Sequence, residues 1–141
     1  MSSEMSFKGE FGAAEIKATL KPIFEKAGER VVASYLYGSQ ATGKADATSD
    51  INVAVLLHPE AWEAGHDPRH EIHLECCKAL DRKDVDLVVL NGTGDLLLLE
   101  EITNRGIVLH DHNPAFRAEF EAKVLHDFLD CRGHKVNTLW D

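Results

Sequence analysis

Asp50 and Asn52 stand two residues apart on an apolar run, and ten residues separate Asp50 from the pair Gly38-Ser39. Side chains alternate along a β-strand, so positions 50 and 52 share a face and can converge on one cation. A third acid, Asp86, lies in a later apolar run, Lys83-Asp84-Val85-Asp86-Leu87-Val88-Val89-Leu90. If that run is a strand beside the first, Asp86 reaches the same site. Oxygen donors of this kind suit Mg²⁺, which keeps several waters and is completed by substrate phosphates. Gly38 and Ser39 fall at a turn where a glycine lets the backbone approach a ligand and free N–H groups favour anions. Two Mg²⁺ ions can clamp the attacking and leaving oxygens of an in-line displacement at phosphorus. That displacement is the chemistry these residues could do.

The elements that must position them are legible in the pattern. Val31 to Tyr37 (VVASYLY) reads as a buried strand stopped by Gly38, and Ser39 to Gly43 as the start of a short helix. Asp50 to Leu57 is a second strand, with Ile51, Val53 and Val55 turned to the core. The run after Lys83 is a third, and Gly106 to His110 a short fourth. Helices are predicted over Ala13 to Lys26, Glu71 to Leu80, Asp95 to Asn104 and Pro114 to Asp130. The first carries Ile16, Leu20, Ile23 and Phe24 at helical spacing, with Pro22 inside it as a kink or a shifted start. Thr93 or Asp95 caps the third. His58-Pro59 breaks the chain after the second strand.

With Gly-Ser, ten residues and Asp-x-Asn on these elements, the chain resembles the DNA polymerase β-like nucleotidyltransferases. Within them it is most similar to the minimal nucleotidyltransferases (MNT proteins), whose pattern ends in Asp-x-Asp. The resemblance runs over roughly residues 15 to 110. It implies an α/β (α+β) fold with a short mixed β-sheet flanked by helices, MgATP as donor with two Mg²⁺, and transfer of a nucleoside monophosphate to a hydroxyl. By position it gives Gly38 and Ser39 the triphosphate, and places Asp50 and Asn52 where the metal ligands stand. It makes Asp86 the third carboxylate, which ligates metal and deprotonates the acceptor. Small stand-alone members are similar to the antitoxins of HEPN/MNT pairs, in which a tyrosine of the HEPN ribonuclease is adenylylated and the toxin silenced. The resemblance therefore implies a HEPN toxin as partner in a hetero-oligomer. A binding-only antitoxin and a small-molecule nucleotidyltransferase are the alternatives, and the chain leaves little room for the added structure of the latter.

Two departures stand out. Thr42 occupies a position that is often Arg in the family, and Lys44 is the nearest cation. Asn52 replaces the second acid of the motif and offers a metal one neutral oxygen in place of a carboxylate. A unit-charge pair at about 4 Å is worth about 4 kcal/mol at an effective dielectric of about 20. Three origins fit Asn52: an engineered inactivating change, drift to a protein that acts by binding alone, or a natural variant that uses the amide as a ligand.

Length and composition set the remaining bounds. The 141 residues are expected to form one domain at 13–130, with a loose lead-in at 1–12 and a C-terminal tail at 131–141. A net charge of −9 argues against binding DNA or RNA by phosphate neutralisation. No apolar run has the length of a membrane span and no signal-peptide pattern opens the chain. Cys76, Cys77 and Cys131 are odd in number, with two adjacent, which points to a reducing cytoplasm and no disulfide framework. His66, His70 and His73 share one helical face, but their spacing is not HExxH, and Cys76-Cys77 lacks CxxC spacing, so a solvated face is expected there. There is no GxxxxGK[ST] loop and no GxSxG elbow. The last helix carries Phe116, Phe120, Val124, Leu125, Phe128 and Leu129, a stripe that covers the sheet or docks a partner.

Overall fold

Strands β1 (Val31–Tyr37) and β2 (Ile51–Leu57) are buried along nearly their whole length, which follows from a sheet covered on both faces. A computed structural model describes residues 12–43, 49–63 and 68–140, with side chains described as far as Cys131. Four strands lie in the order β3-β2-β1-β4, where β3 is Val85–Val89 and β4 is Ile107–Asp111. β1 runs antiparallel to both its neighbours, and β2 pairs parallel with β3. The mixed α/β sheet expected from the sequence is the one observed.

Helices α1 (Ala13–Ala27) and α4 (Arg69–Leu80) cover one face. Their Ile16, Leu20, Phe24, Ile72, Cys76 and Leu80 pack on Ile51, Val53, Val55 and Leu57. On the other face, α5 (Leu96–Arg105) and α6 (Pro114–Trp140) bring Leu99, Ile102 and Val124 against Tyr35, Ala54 and Leu56. Two-sided cover explains why β2 reads as a continuous apolar run and not as an alternation. The short helices α2 (Ser39–Thr42) and α3 (Pro59–Glu63) follow β1 and β2.

Local chemistry sets the element ends. Glu15 accepts the Gly12 N–H at 3.0 Å and closes the start of α1. Asp95 caps α5 by accepting the Leu98 N–H at 3.2 Å, while Thr93 Oγ1 accepts the Asp95 N–H. Pro22 lies inside α1 on its solvent side without ending the helix.

Several boundaries differ from the sequence reading. β2 begins at Ile51, so Asp50 is the residue before the strand and not its first member. α4 starts two residues earlier than predicted, at Arg69. Where His58-Pro59 was read only as a break, Pro59 opens α3; at a first helical position the missing N–H costs nothing. α6 does not stop at Asp130 but continues to Trp140, since no proline follows Pro114 to interrupt it. Its stripe divides in two. Phe116, Phe120 and Val124 pack on the sheet, whereas Leu125 and Leu129 are 51% and 54% exposed. The predicted lead-in, apart from Gly12, lies outside the described residues, as do Lys44 and His66.

Candidate active site

Three adjacent strands place Tyr37, Asn52 and Asp86 abreast. Tyr37 at the end of β1 pairs with Asn52 on β2, and Asn52 pairs with Asp86 on β3. Paired residues point to the same face, so these side chains form a row across one end of the sheet. Gly38 follows Tyr37 directly, with φ of +81°. A Cβ at Gly38 would meet Asn52 Nδ2 at 2.7 Å, so the Asn52 amide lies against the glycine. Glycine is needed here twice, for the positive φ and for the space. From this turn α2 departs, with the Ala41 and Thr42 N–H groups donating to Gly38 O at 3.0 and 3.2 Å. Ser39 is half-buried at its first position and Gln40 is buried behind it.

Asp50 and Asp86 are both exposed. The start of β2 is tied to the start of β3 by the Ile51 N–H, which donates to Asp84 O at 3.1 Å. Arg82 braces the same place: Nε donates to Asp84 Oδ1 at 2.8 Å, Nη2 to Asp84 Oδ2 at 2.6 Å, and Nη2 also to Ser49 O. That fork holds the Asp84 carboxyl below the usual range. The Tyr37 phenol is held above its ordinary value, first by burial and then by the charges of Asp86 and Glu101. Its hydroxyl is thus within electrostatic reach of the acid at the other end of the row.

Beyond Asp86 a cavity of about 350 Å³ opens at the outer edge of β3, lined by Arg69, His70, His73, Asp86 and Leu87. His73 Nε2 lies 2.6 Å from Val85 O. A carbonyl oxygen only accepts, so this nitrogen carries the proton. His70 and His73, read from sequence as a solvated face, line a cavity that shares a wall with Asp86.

The structure therefore gathers Gly38, Ser39, Asn52 and Asp86 at one end of the sheet and leaves Asp50 on the lead-in to β2. The donors present are two carboxylates and an amide oxygen, all hard ligands. With the Gly38 cradle beside them they fit a hard divalent cation, with one charge fewer than three acids would supply. Among the described residues, no group of three His, Cys, Asp or Glu side chains is placed to hold a metal, and position 52 carries an amide. Tyr37 and Arg82 are the site neighbours that sequence reasoning missed. Tyr37 carried a signal, since alternation along β1 puts it on the face of Asn52. Arg82 carried none, because its place follows from the way α4 ends.

A mixed sheet with a glycine turn after β1 and acids at the starts of β2 and β3 agrees with the class of the nucleotidyltransferases. The family described as polymerase beta, nucleotidyltransferase matches residues 18–115, and the chain belongs to it. Solved structures repeat the fold. One is a toxin–antitoxin structure with AMP-PNP, at 22% identity and a TM-score of 0.69, covering 87% of this chain and 94% of that one. Another is a tri-AMPylated Shewanella oneidensis HEPN toxin in complex with MNT antitoxin, at 21% identity, TM-score 0.60, with 88% and 95% covered. A third is the toxin–antitoxin MntA-HepT, at 20% identity, TM-score 0.61, with 88% and 93% covered. Comparison with curated proteins gave no match. Among the described residues no helix is long and apolar enough to cross a membrane.

Proposed function

We propose that this chain is the antitoxin of a toxin–antitoxin pair, with a site for moving AMP from MgATP to a tyrosine hydroxyl of a cytoplasmic HEPN ribonuclease. The observation that carries the proposal is the level pairing of Asn52 with Asp86, with Gly38 against Asn52, in a member of this family. Likeness in fold to toxin–antitoxin structures, one with AMP-PNP and one with a tri-AMPylated HEPN toxin, supports the choice of partner and donor. The acidic balance, with a net charge of −9, suits a basic protein surface better than a nucleic acid.

In this reading Gly38 and Ser39 receive the triphosphate, and Asp50, Asn52 and Asp86 hold the metal. Bound Mg²⁺ supplies neutralisation of the phosphate charge and support for in-line displacement. Asp86, exposed at the far end of the row, takes the proton of the acceptor hydroxyl. The freed oxygen bonds to the α-phosphorus, the bond from that phosphorus to its bridging oxygen breaks, and pyrophosphate leaves.

Asn52 sets the rate. Losing one carboxylate against a divalent ion, even heavily screened, costs several kcal/mol, and each ~1.4 kcal/mol of barrier is a factor of ten. Transfer by this form is therefore slow, while fold and nucleotide binding are kept because Asn is nearly isosteric with Asp. The same residue favours a second reading, an antitoxin that neutralises its toxin by binding alone. Incubation with a HEPN toxin and MgATP, followed by mass spectrometry of the toxin, separates the two. Asn52→Asp is expected to add adenylyl mass at least about 100-fold faster than this chain. No adenylyl mass from either form would leave only the binding reading, and equal labelling by both would refute the role given to Asn52.

A further inference from the structure

We infer that Arg82 is a positioning residue for Asp50, holding the lead-in to β2 so that its carboxylate stands beside Asn52 and Asp86. The inference rests on the reading of those three residues as the metal-holding set. Arg82 is placed by the end of α4. Asp81 adopts a left-handed conformation with φ of +54°, and the Arg82 N–H returns to Cys77 O at 3.1 Å. The Arg82 side chain, 9% exposed, then bridges the residues just before β2 and β3.

There the guanidinium does three things at once. It grips Asp84 through two parallel hydrogen bonds, two residues before Asp86. It donates to the carbonyl of Ser49, the residue before Asp50. It also sets a fixed positive charge within electrostatic reach of Asp50. The remaining nitrogen, Nη1, is buried and has no hydrogen-bond partner among the described residues. Lysine would keep the charge but could not reproduce the planar fork that spans Asp84 and Ser49 together.

This differs from a general structural brace. Asp50 lies outside β2 and is exposed, so strand pairing does not fix its carboxylate. Of the ties described above, the Ile51–Asp84 backbone bond holds the strand but not the residue before it. The Arg82–Ser49 bond reaches past the strand end.

The test compares Arg82→Lys and Arg82→Met with the parent, each in the Asn52→Asp background, by amide hydrogen exchange and by calorimetric titration with Mg²⁺ alone. Arg82→Lys is expected to speed exchange of the Ile51 amide at least about tenfold relative to Val53 and Val55. It is also expected to weaken Mg²⁺ binding about fivefold or more, with Met no better. Unchanged protection at Ile51 would overturn the inference, and so would faster exchange with unchanged Mg²⁺ affinity. Restoration of Mg²⁺ affinity by Lys but not Met would show that charge alone matters, which also overturns it. If the Asn52→Asp parent takes up no Mg²⁺ while Ile51 is selectively exposed by Arg82→Lys, the clamp exists but the metal-site reading fails, and with it the role in positioning Asp50.

Discussion

Gly38 and Asn52 lie close enough to constrain each other. Gly38 holds φ of +81°, and a methyl group there would stand 2.7 Å from Asn52 Nδ2. Gly38→Ala thus combines a backbone penalty of about 1–2 kcal/mol with a side-chain clash. Urea denaturation should show that loss, and Asn52→Ala in the same chain should recover the steric part while leaving the backbone part. A full loss that Asn52→Ala does not reduce would mean that the amide is free to move away. At this scale the sequence was informative. Gly38, Ser39, Asp50, Asn52 and Asp86 were all singled out as candidates by type and spacing, because a phosphate turn and oxygen ligands need few residue types. Arg82 was not, since an arginine two residues from an aspartate is common and only its burial between two strand starts distinguishes it.

A partly buried polar link joins β1, β4 and α6. Tyr35, fully buried on β1, donates to Glu121 Oε2 on α6 at 2.7 Å, and Arg117 bridges that carboxylate to Asp111 on β4. Burial is the main cause that pushes the Tyr35 phenol well above its ordinary 10.0, followed by the Glu121 hydrogen bond. The folded state therefore holds this proton more tightly than the unfolded chain does. Its contribution is complete below pH 10 and is lost as pH climbs through the folded value. Tyr35→Phe should cost about 1 kcal/mol at pH 7, since Glu121 keeps Arg117, and should flatten the alkaline decline in stability. Urea midpoints measured from pH 7 to 11 check both, and an alkaline limb identical to that of the parent would contradict the assignment. Hydropathy predicted an amphipathic helix here, but periodicity could not say that it covers the sheet only as far as Val124.

For the whole molecule, both faces of one four-stranded sheet are sealed, and the thiols report on that seal. Cys76 is buried against α1 and the sheet, and its thiol is pushed up to about 12 by burial and then by Cys77 and Glu75. Cys131 is exposed on α6. A thiol reagent at pH 8 should label Cys131 within minutes and Cys76 only at the rate of global unfolding. Peptide mapping by mass spectrometry distinguishes the two sites. Labelling of Cys76 as fast as Cys131 would show that the α1–α4 face opens without unfolding.

The sequence by itself determined most of the secondary structure around the candidate site and the nucleotidyltransferase family, and it pointed to Asn52 as the departure from the motif. Those follow from local rules: two-residue alternation, glycine at a forced turn, and the charge of a side chain. Tertiary structure decided which strand lies beside which. Only the parallel pairing of β2 with β3 puts Asp86 level with Asn52, and only the exit of α4 carries Arg82 to Asp84 and Ser49. Strand order and helix exit angles depend on packing between residues far apart in the chain, where no local pattern records them.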